Sequence, residues 1–258
     1  MAERISLLVT VKAYPAISQK YGEVVCVAGI RTDTPQPEWA RLYPVAYRDL
    51  PWAQRFHKYE VISLEAAKHS GDKRPETWRP NLDTLQVGAR LDTKKAWAKR
   101  RPYVEPLLVE SMCELRRRQE LDGTSLGAFR PEAVDDFIID TDVEEWGESK
   151  AGIASQPSLF FPTKDGLEQI PYRFSYRYRC STPGCRGHTQ SMIDWELAQA
   201  WRSWRDRYDE PTLRENLRGK FLEDMCSPAK DTNFFVGNQH QHPTAFLVLG
   251  VFWPPRAP

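Results

Sequence analysis

Cys180-Ser-Thr-Pro-Gly-Cys185-Arg-Gly-His188 is the stretch whose residue types most directly offer chemistry. Two thiols and an imidazole share one short loop, and the Pro-Gly pair between the cysteines gives a turn that lets both sulfurs point inward. Zinc takes Cys and His ligands at such spacings, so Cys180, Cys185 and His188 are the expected metal ligands and zinc the expected cofactor. The fourth ligand is not local, and Cys226, His240 and His242 are the candidates from a distance. Four protein ligands would make the site structural, and three with a water would point to hydrolysis. Two ordinary cysteines and a histidine at a helix start are the plain alternative.

Asp194-Trp-Glu196 invites a second chemistry, a metal-dependent nuclease or related hydrolase with His188, Asp194 and Glu196 as its catalytic candidates. Geometry weighs against it. Residues two apart on a helix point about 200° apart, and acids in a first turn are what the helix dipole prefers. A third pattern is Tyr172-Arg-Phe-Ser-Tyr-Arg-Tyr-Arg179. In an extended strand its rings fall on one face, and Arg173, Arg177 and Arg179 fall on the other. The arginines suit phosphate, while the rings pack inward; the alternative is a half-buried strand with a solvated face. His240 and His242 alternate before Pro243 and would share a face if extended, although loop histidines more often stay without a metal.

The elements that must position these groups divide into two parts, expected at 1–130 and 131–258. Ile5–Val11, Glu23–Ile30, Trp39–Val45 and Tyr59–Glu65 read as strands, the second rich in β-branched residues and the third partly alternating, and prolines break the runs, as in a small barrel. Ser70–Asn81 reads as an irregular surface segment. Lys94, Lys95, Lys99, Arg100 and Arg101 form a basic cluster. Pro106–Leu121 reads as a helix with Arg116-Arg117-Arg118 near its end, where positive charge suits the dipole. Acids crowd Glu132–Glu148. Beyond the Cys/His loop, Ser191/Asp194 and Thr212/Glu215 match capping boxes that open two amphipathic helices. A strand pair, Asn233–Val236 and Thr244–Trp253, is expected to turn at Gly237-Asn238.

Lys20-Tyr-Gly-Glu-Val-Val-Cys-Val-Ala-Gly-Ile30 followed by Trp39-Ala-Arg-Leu-Tyr-Pro-Val45 resembles the dual-OB-containing domain of uncharacterised bacterial proteins. In that domain a Cys-x-Ala-Gly-Ile strand leads to a Trp-x-Arg strand. The likeness covers about the first 50 residues. Asp72-Lys-Arg-Pro-Glu76 and the Cys/His loop with Asp194-Trp-Glu196 are similar to features of the same group. The usual Trp-x-Arg-Pro ending is here Arg41-Leu-Tyr-Pro44. The resemblance implies an OB-like barrel and a nucleic-acid role in bacterial defence or genome conflict, and it supplies no catalytic residue. On an OB-type surface, Trp39, Arg41, Tyr43 and Arg48 are the nucleic-acid candidates.

Composition bounds the rest. A chain of 258 residues with 41% hydrophobic and 28% charged residues can bury a normal core, which excludes a disordered class. A net charge of +1 does not by itself point to a general polyanion binder, although a neutral sum can hide opposed patches. Five cysteines, an odd count, and no signal-like start suggest a cytoplasmic protein with reduced thiols. The longest apolar run is far short of the roughly 20 residues a bilayer requires, so no membrane partner is expected. The expected fold is α+β: an OB-like β-barrel, then an α+β half carrying a zinc knuckle and two amphipathic helices. The expected function is nucleic-acid binding as an accessory or sensor. The alternatives are the nuclease and a scaffold bound to other protein subunits, with which nine tryptophans are compatible.

Overall fold

A computed structural model describes residues 2–155 and 166–256. The chain is α+β and divides into two compact units. The first comprises the described residues of Met1–Lys73, Thr77–Leu91 and Asp142–Pro171; the second comprises those of Arg74–Glu76, Asp92–Thr141 and Tyr172–Pro258.

The first unit is a closed five-stranded barrel. Its strands are β1 (Ala2–Lys12), β3 (Gly22–Arg31), β4 (Trp39–Val45), β5 (Glu60–Lys68) and β6 (Thr77–Arg90), with a short β2 (Ala16–Ser18) beside β3. Around the barrel the order is β1-β3-β4-β6-β5 and back to β1, with β4 and β6 parallel and the other pairs antiparallel. This is the strand order of an OB-like barrel. The inward residues are Ile5, Leu7, Val9, Val27, Leu42, Ile62 and Leu64, all essentially without exposure. Burying each contributes about 1.5–3 kcal/mol. Gly29 lies opposite Val9 beside a register shift in β1. A Cβ there would stand 2.2 Å from the Leu8 carbonyl oxygen, so glycine is what lets β1 and β3 approach and close the barrel. The helix Glu148–Ser155 packs against β2 and β3, and the Tyr14 hydroxyl donates to the Glu168 carbonyl at 2.6 Å.

The fifth barrel strand corrects the expectation of an irregular segment through Asn81: β6 begins at Thr77. Its Pro80 stands opposite Ala66, next to an irregular register between Ser63 and Glu65, where a missing N–H is tolerated.

The second unit is built on a seven-stranded mixed sheet. Its strands are β7 (Leu108–Val109), β8 (Leu126–Phe129), β9 (Ala133–Asp140), β10 (Arg173–Arg179), β11 (His188–Met192), β12 (Asn233–Asn238) and β13 (Phe246–Phe252). They run in the order β7-β8-β12-β13-β11-β10-β9. One face is a layer of rings: Phe137 lies flat on Phe174 and Phe221, and Tyr176 stacks on Phe234 at 4.7 Å. The helices Trp195–Trp204 and Glu210–Arg218 bury Leu197, Trp201, Leu213 and Leu217. Both are capped by aspartates, Asp194 and Asp209, rather than by Ser191 and Thr212. The helix expected from Pro106 starts at Met112, because Leu108-Val109 pairs with β8 and Ser111 takes the cap. Gly237-Asn238 lies within β12, so the turn is made by the residues beyond it.

Lys95, Ala96 and Trp97 adopt φ values of 50°, 51° and 63°. A left-handed turn of non-glycine residues costs about 1–2 kcal/mol per residue. Packing offsets that cost, since the Trp97 ring sits edge-on to Phe252 and Trp253 at 5.3 and 5.5 Å.

Candidate metal centre and the placement of the arginines

The knuckle loop leaves β10 at Cys180 and returns at His188, the first residue of β11. Thr182 accepts from the Cys185 amide at 3.0 Å, and Gly184 and Gly187 take φ values of +77° and +87°. Those left-handed turns bring Cys185 back over Cys180. The Gly187 amide donates to the Cys185 sulfur at 3.4 Å. Tyr178 stacks on the His188 ring at 5.1 Å, and its hydroxyl donates to Gln190, which fixes the imidazole plane.

The fourth donor is Cys113, from the first turn of the helix Met112–Asp122. Hydrogen bonds stitch that helix start to the knuckle. Ser111 accepts from the Glu114 amide at 3.0 Å and shares a 2.6 Å bond with the Thr182 hydroxyl, while Ser181 donates to the Glu110 carbonyl at 3.3 Å. The donor atoms of Cys113, Cys180, Cys185 and His188 all lie within 4.8 Å of one another. Cys180 Sγ is 3.3 Å from Cys185 Sγ and 3.6 Å from Cys113 Sγ, and His188 Nε2 lies 3.3–3.6 Å from the three sulfurs. Zinc at its usual bond lengths sets tetrahedral edges of about 3.5–3.8 Å, so the donor set suits it closely. Four protein donors complete a tetrahedron and leave no position for a reacting water.

Electrostatics describe the same cluster. Burial opposes the Cys180 thiolate, yet hydrogen bonds from His188 and Cys185 bring its pKa down to about 6. Burial, and then the neighbouring Cys180, push Cys113 up to about 11. One sulfur holds the charge at the expense of its neighbour, as thiols crowded together do.

The expected distant ligands take no part. Cys226 is half-buried near Phe221, whose carbonyl lies 3.5 Å from its sulfur, and desolvation pushes its thiol up to about 12. His240 and His242 are exposed in the loop between β12 and β13. Cys113 lies 67 residues from Cys180 and carries no pairing motif, so no signal along the chain marked it.

The hydrolase trio is separated. His188 faces the sulfurs. Asp194 is buried and caps a helix by accepting from the Glu196 amide at 2.8 Å, and Glu196, two residues on in the first turn, is exposed.

The arginines expected to meet phosphate are held elsewhere. Arg173, Arg177 and Arg179 project from one face of β10, as the alternation predicts, but each pairs with an acid of the adjacent β9: Asp140, Asp136 at 3.0 Å and Asp135 at 3.4 Å. In the barrel, Arg41 is 1% exposed and donates to Thr77 at 3.2 Å, so it is a buried group and not a surface one. Arg48 pairs with Glu23 at 3.0 Å, and Tyr43 meets Tyr21 edge-on at 6.1 Å. Trp39 is half-buried.

A group of exposed arginines lies beside the metal centre. Arg116, Arg117, Arg118 and Arg186 are all exposed. Glu114 is the carboxylate paired with both Arg117 and Arg118. Arg116 lies one turn along the helix from Cys113, and its charge reaches Tyr178; Arg186 follows Cys185 directly.

A family model described as Domain of unknown function (DUF8757) matches residues 109–258, and another described as Domain of unknown function (DUF8758) matches residues 3–106. No curated protein matches the chain. Among solved structures, one titled "Structure of murine DNA binding protein bound with ds DNA" is similar at 9% identity and a TM-score of 0.33, covering 99% of this chain and 97% of that one. A likeness that distant does not bring the other protein's ligand to this chain. Among the described residues, no helix is long and apolar enough to cross a membrane.

Proposed function

The chain belongs to the first of these families, that of Domain of unknown function DUF8757, and we propose that it binds nucleic acid through a zinc-locked knuckle. Zinc held by Cys113, Cys180, Cys185 and His188 fixes the loop against the helix start, and the rim of that node presents Arg116, Arg117, Arg118 and Arg186. Four exposed guanidinium groups on the two segments that the closed donor cluster joins are the observation that carries the reading. Guanidinium forks match phosphate geometry, and a rigid loop loses little freedom on binding. The OB-like barrel supports it as a fold used for oligonucleotides, by analogy only. Arg48, Tyr43 and the β10 ladder of Arg173, Arg177 and Arg179 are secondary contacts on this reading, because a phosphate must first displace a carboxylate or a packed neighbour. Arg41 is too deeply placed to contribute. The cytoplasmic location and the bacterial defence setting implied by the dual-OB resemblance belong to the same proposal.

Fluorescence anisotropy of labelled single- and double-stranded oligonucleotides at low salt is the test. Affinity should fall as salt rises, with a log–log slope near −0.7 to −0.9 per phosphate neutralised. Arg116→Ala with Arg186→Ala should weaken binding and shrink the slope by about 2. An anisotropy trace that stays flat at low salt with the zinc-loaded protein ends this reading.

A further inference from the structure

A second cationic feature lies in the same unit, where the end of the chain meets the segment before β12. A cavity of about 220 Å³ is lined there by residues that include Arg130, Lys230, Arg256, Ser227 and Glu132. Its frame is stiff. The Arg256 amide donates to the Ala229 carbonyl at 2.9 Å, the Asp231 amide to the Pro254 carbonyl at 2.8 Å, and Lys230 bridges to Pro255. The Arg256 Nε donates to the Lys230 carbonyl at 3.2 Å, which aims the guanidinium; its two terminal nitrogens have no partner among the described residues. Lys230 lies over the Trp253 ring at 4.8 Å and stands 3.8 Å from Asp224, too far for a good hydrogen bond. Arg130 pairs with Asp231, a carboxylate that also takes Arg101.

Three cations therefore line a small cavity against one lining carboxylate, Glu132. The Ser227 side chain adds a hydroxyl. Cys226, also in the lining, stays a neutral thiol at ordinary pH because desolvation pushes it up to about 12. The volume is below that of the usual pockets for drug-sized ligands, which begin near about 300 Å³. It suits a compact anion, and an arginine fork held at Nε is pre-organised for a tetrahedral oxyanion.

We propose that this cavity binds a phosphate group through Arg256 and Lys230, with Arg130 completing the ring of charge. The site is separate from the zinc rim and does not rest on the reading given for it. The phosphate is either the free ion or the end of a nucleic-acid strand, and both present the same dianionic oxygens.

Calorimetric titration of the full, metal-loaded chain with inorganic phosphate, against chloride at matched ionic strength, tests it. The expected result is one saturable site per chain, weakened about tenfold or more in Arg256→Gln and in Lys230→Gln and unchanged in Arg207→Gln, an exposed arginine outside both sites. Circular dichroism and zinc content confirm that the variants are folded. Heats that do not saturate by about 10 mM phosphate, well beyond a millimolar site, overturn the proposal, as does binding that survives in both variants. Oligonucleotides with a 5′-phosphate and a 5′-hydroxyl then identify the source. A preference for the phosphorylated end that disappears in Arg256→Gln supports a strand terminus; phosphate binding without such a preference supports the free ion. A hydroxyl-ended strand that still binds while phosphate does not would remove this site and leave the rim reading standing.

Discussion

Cys113 is the residue on which the metal centre turns. Its sulfur stands 3.6 Å from Cys180, whereas the Cys226 sulfur lies against the Phe221 carbonyl, outside the donor cluster. Cys113→Ser should therefore abolish bound zinc in elemental analysis, and Cys226→Ser should leave the metal content at that of the parent. A thiol count extends this: chelation should make Cys113, Cys180 and Cys185 reactive toward alkylating reagents while Cys226 stays slow until the unit unfolds. Two glycines carry equally local demands. A Cβ at Gly127 would meet Leu115 Cδ2 at 2.4 Å, so Gly127→Ala should cost about 1–3 kcal/mol in denaturant unfolding as the leucine is forced aside. At Gly29 the obstacle is backbone, the Leu8 carbonyl at 2.2 Å, which cannot rotate away. Gly29→Ala should cost about 3 kcal/mol or more, or prevent the barrel from closing.

Strands β9 and β10 show how an element can cancel its neighbour's charge. The alternation of β10 puts three arginines on one face, and the register of β9 sets Asp140, Asp136 and Asp135 beside them. Exposed pairs of this kind contribute only about 0–1 kcal/mol each, so their removal should leave the fold intact. A triple Asp135→Asn, Asp136→Asn, Asp140→Asn variant should melt close to the parent protein yet bind oligonucleotides more tightly, because the ladder is then uncompensated. An unchanged anisotropy titration would show that this face is no part of the interface. Helix capping matters at the other end of the same unit. Ser111 both caps the helix that carries Cys113 and bonds Thr182 on the knuckle. Ser111→Ala should lower stability by about 0.5–2 kcal/mol and weaken zinc retention against a competing chelator.

Across the whole molecule, the barrel and the zinc-bearing unit have separate cores and separate family models. A closed metal site contributes its binding energy to the unit that supplies the ligands. Chelation should thus destabilise residues of the second unit selectively. Limited proteolysis with and without chelator should show new cleavage in the knuckle and in the helix Met112–Asp122, with the barrel strands protected in both conditions. Equal protection of both units after metal removal would mean that the cluster does not hold this unit together.

Much of the local structure was legible along the chain, and for a plain reason. Strands β1, β3 and β5 announce themselves by apolar runs with β-branched residues, β4 by partial alternation and the two-faced β10 by strict alternation, because side-chain direction in a strand is a local property with a period of two. The knuckle was legible for the same reason, since three of its four donors lie on one loop. Two things required the tertiary structure. The fifth barrel strand was hidden by Pro80, which reads as a breaker until the irregular register opposite Ala66 accommodates it. The fourth metal donor and the acids that quench the arginine ladder were invisible as well, because both come from segments remote in sequence. Which cysteine meets the cluster, and which carboxylate meets a guanidinium, is decided by strand register and helix placement, and no spacing within a single segment encodes either.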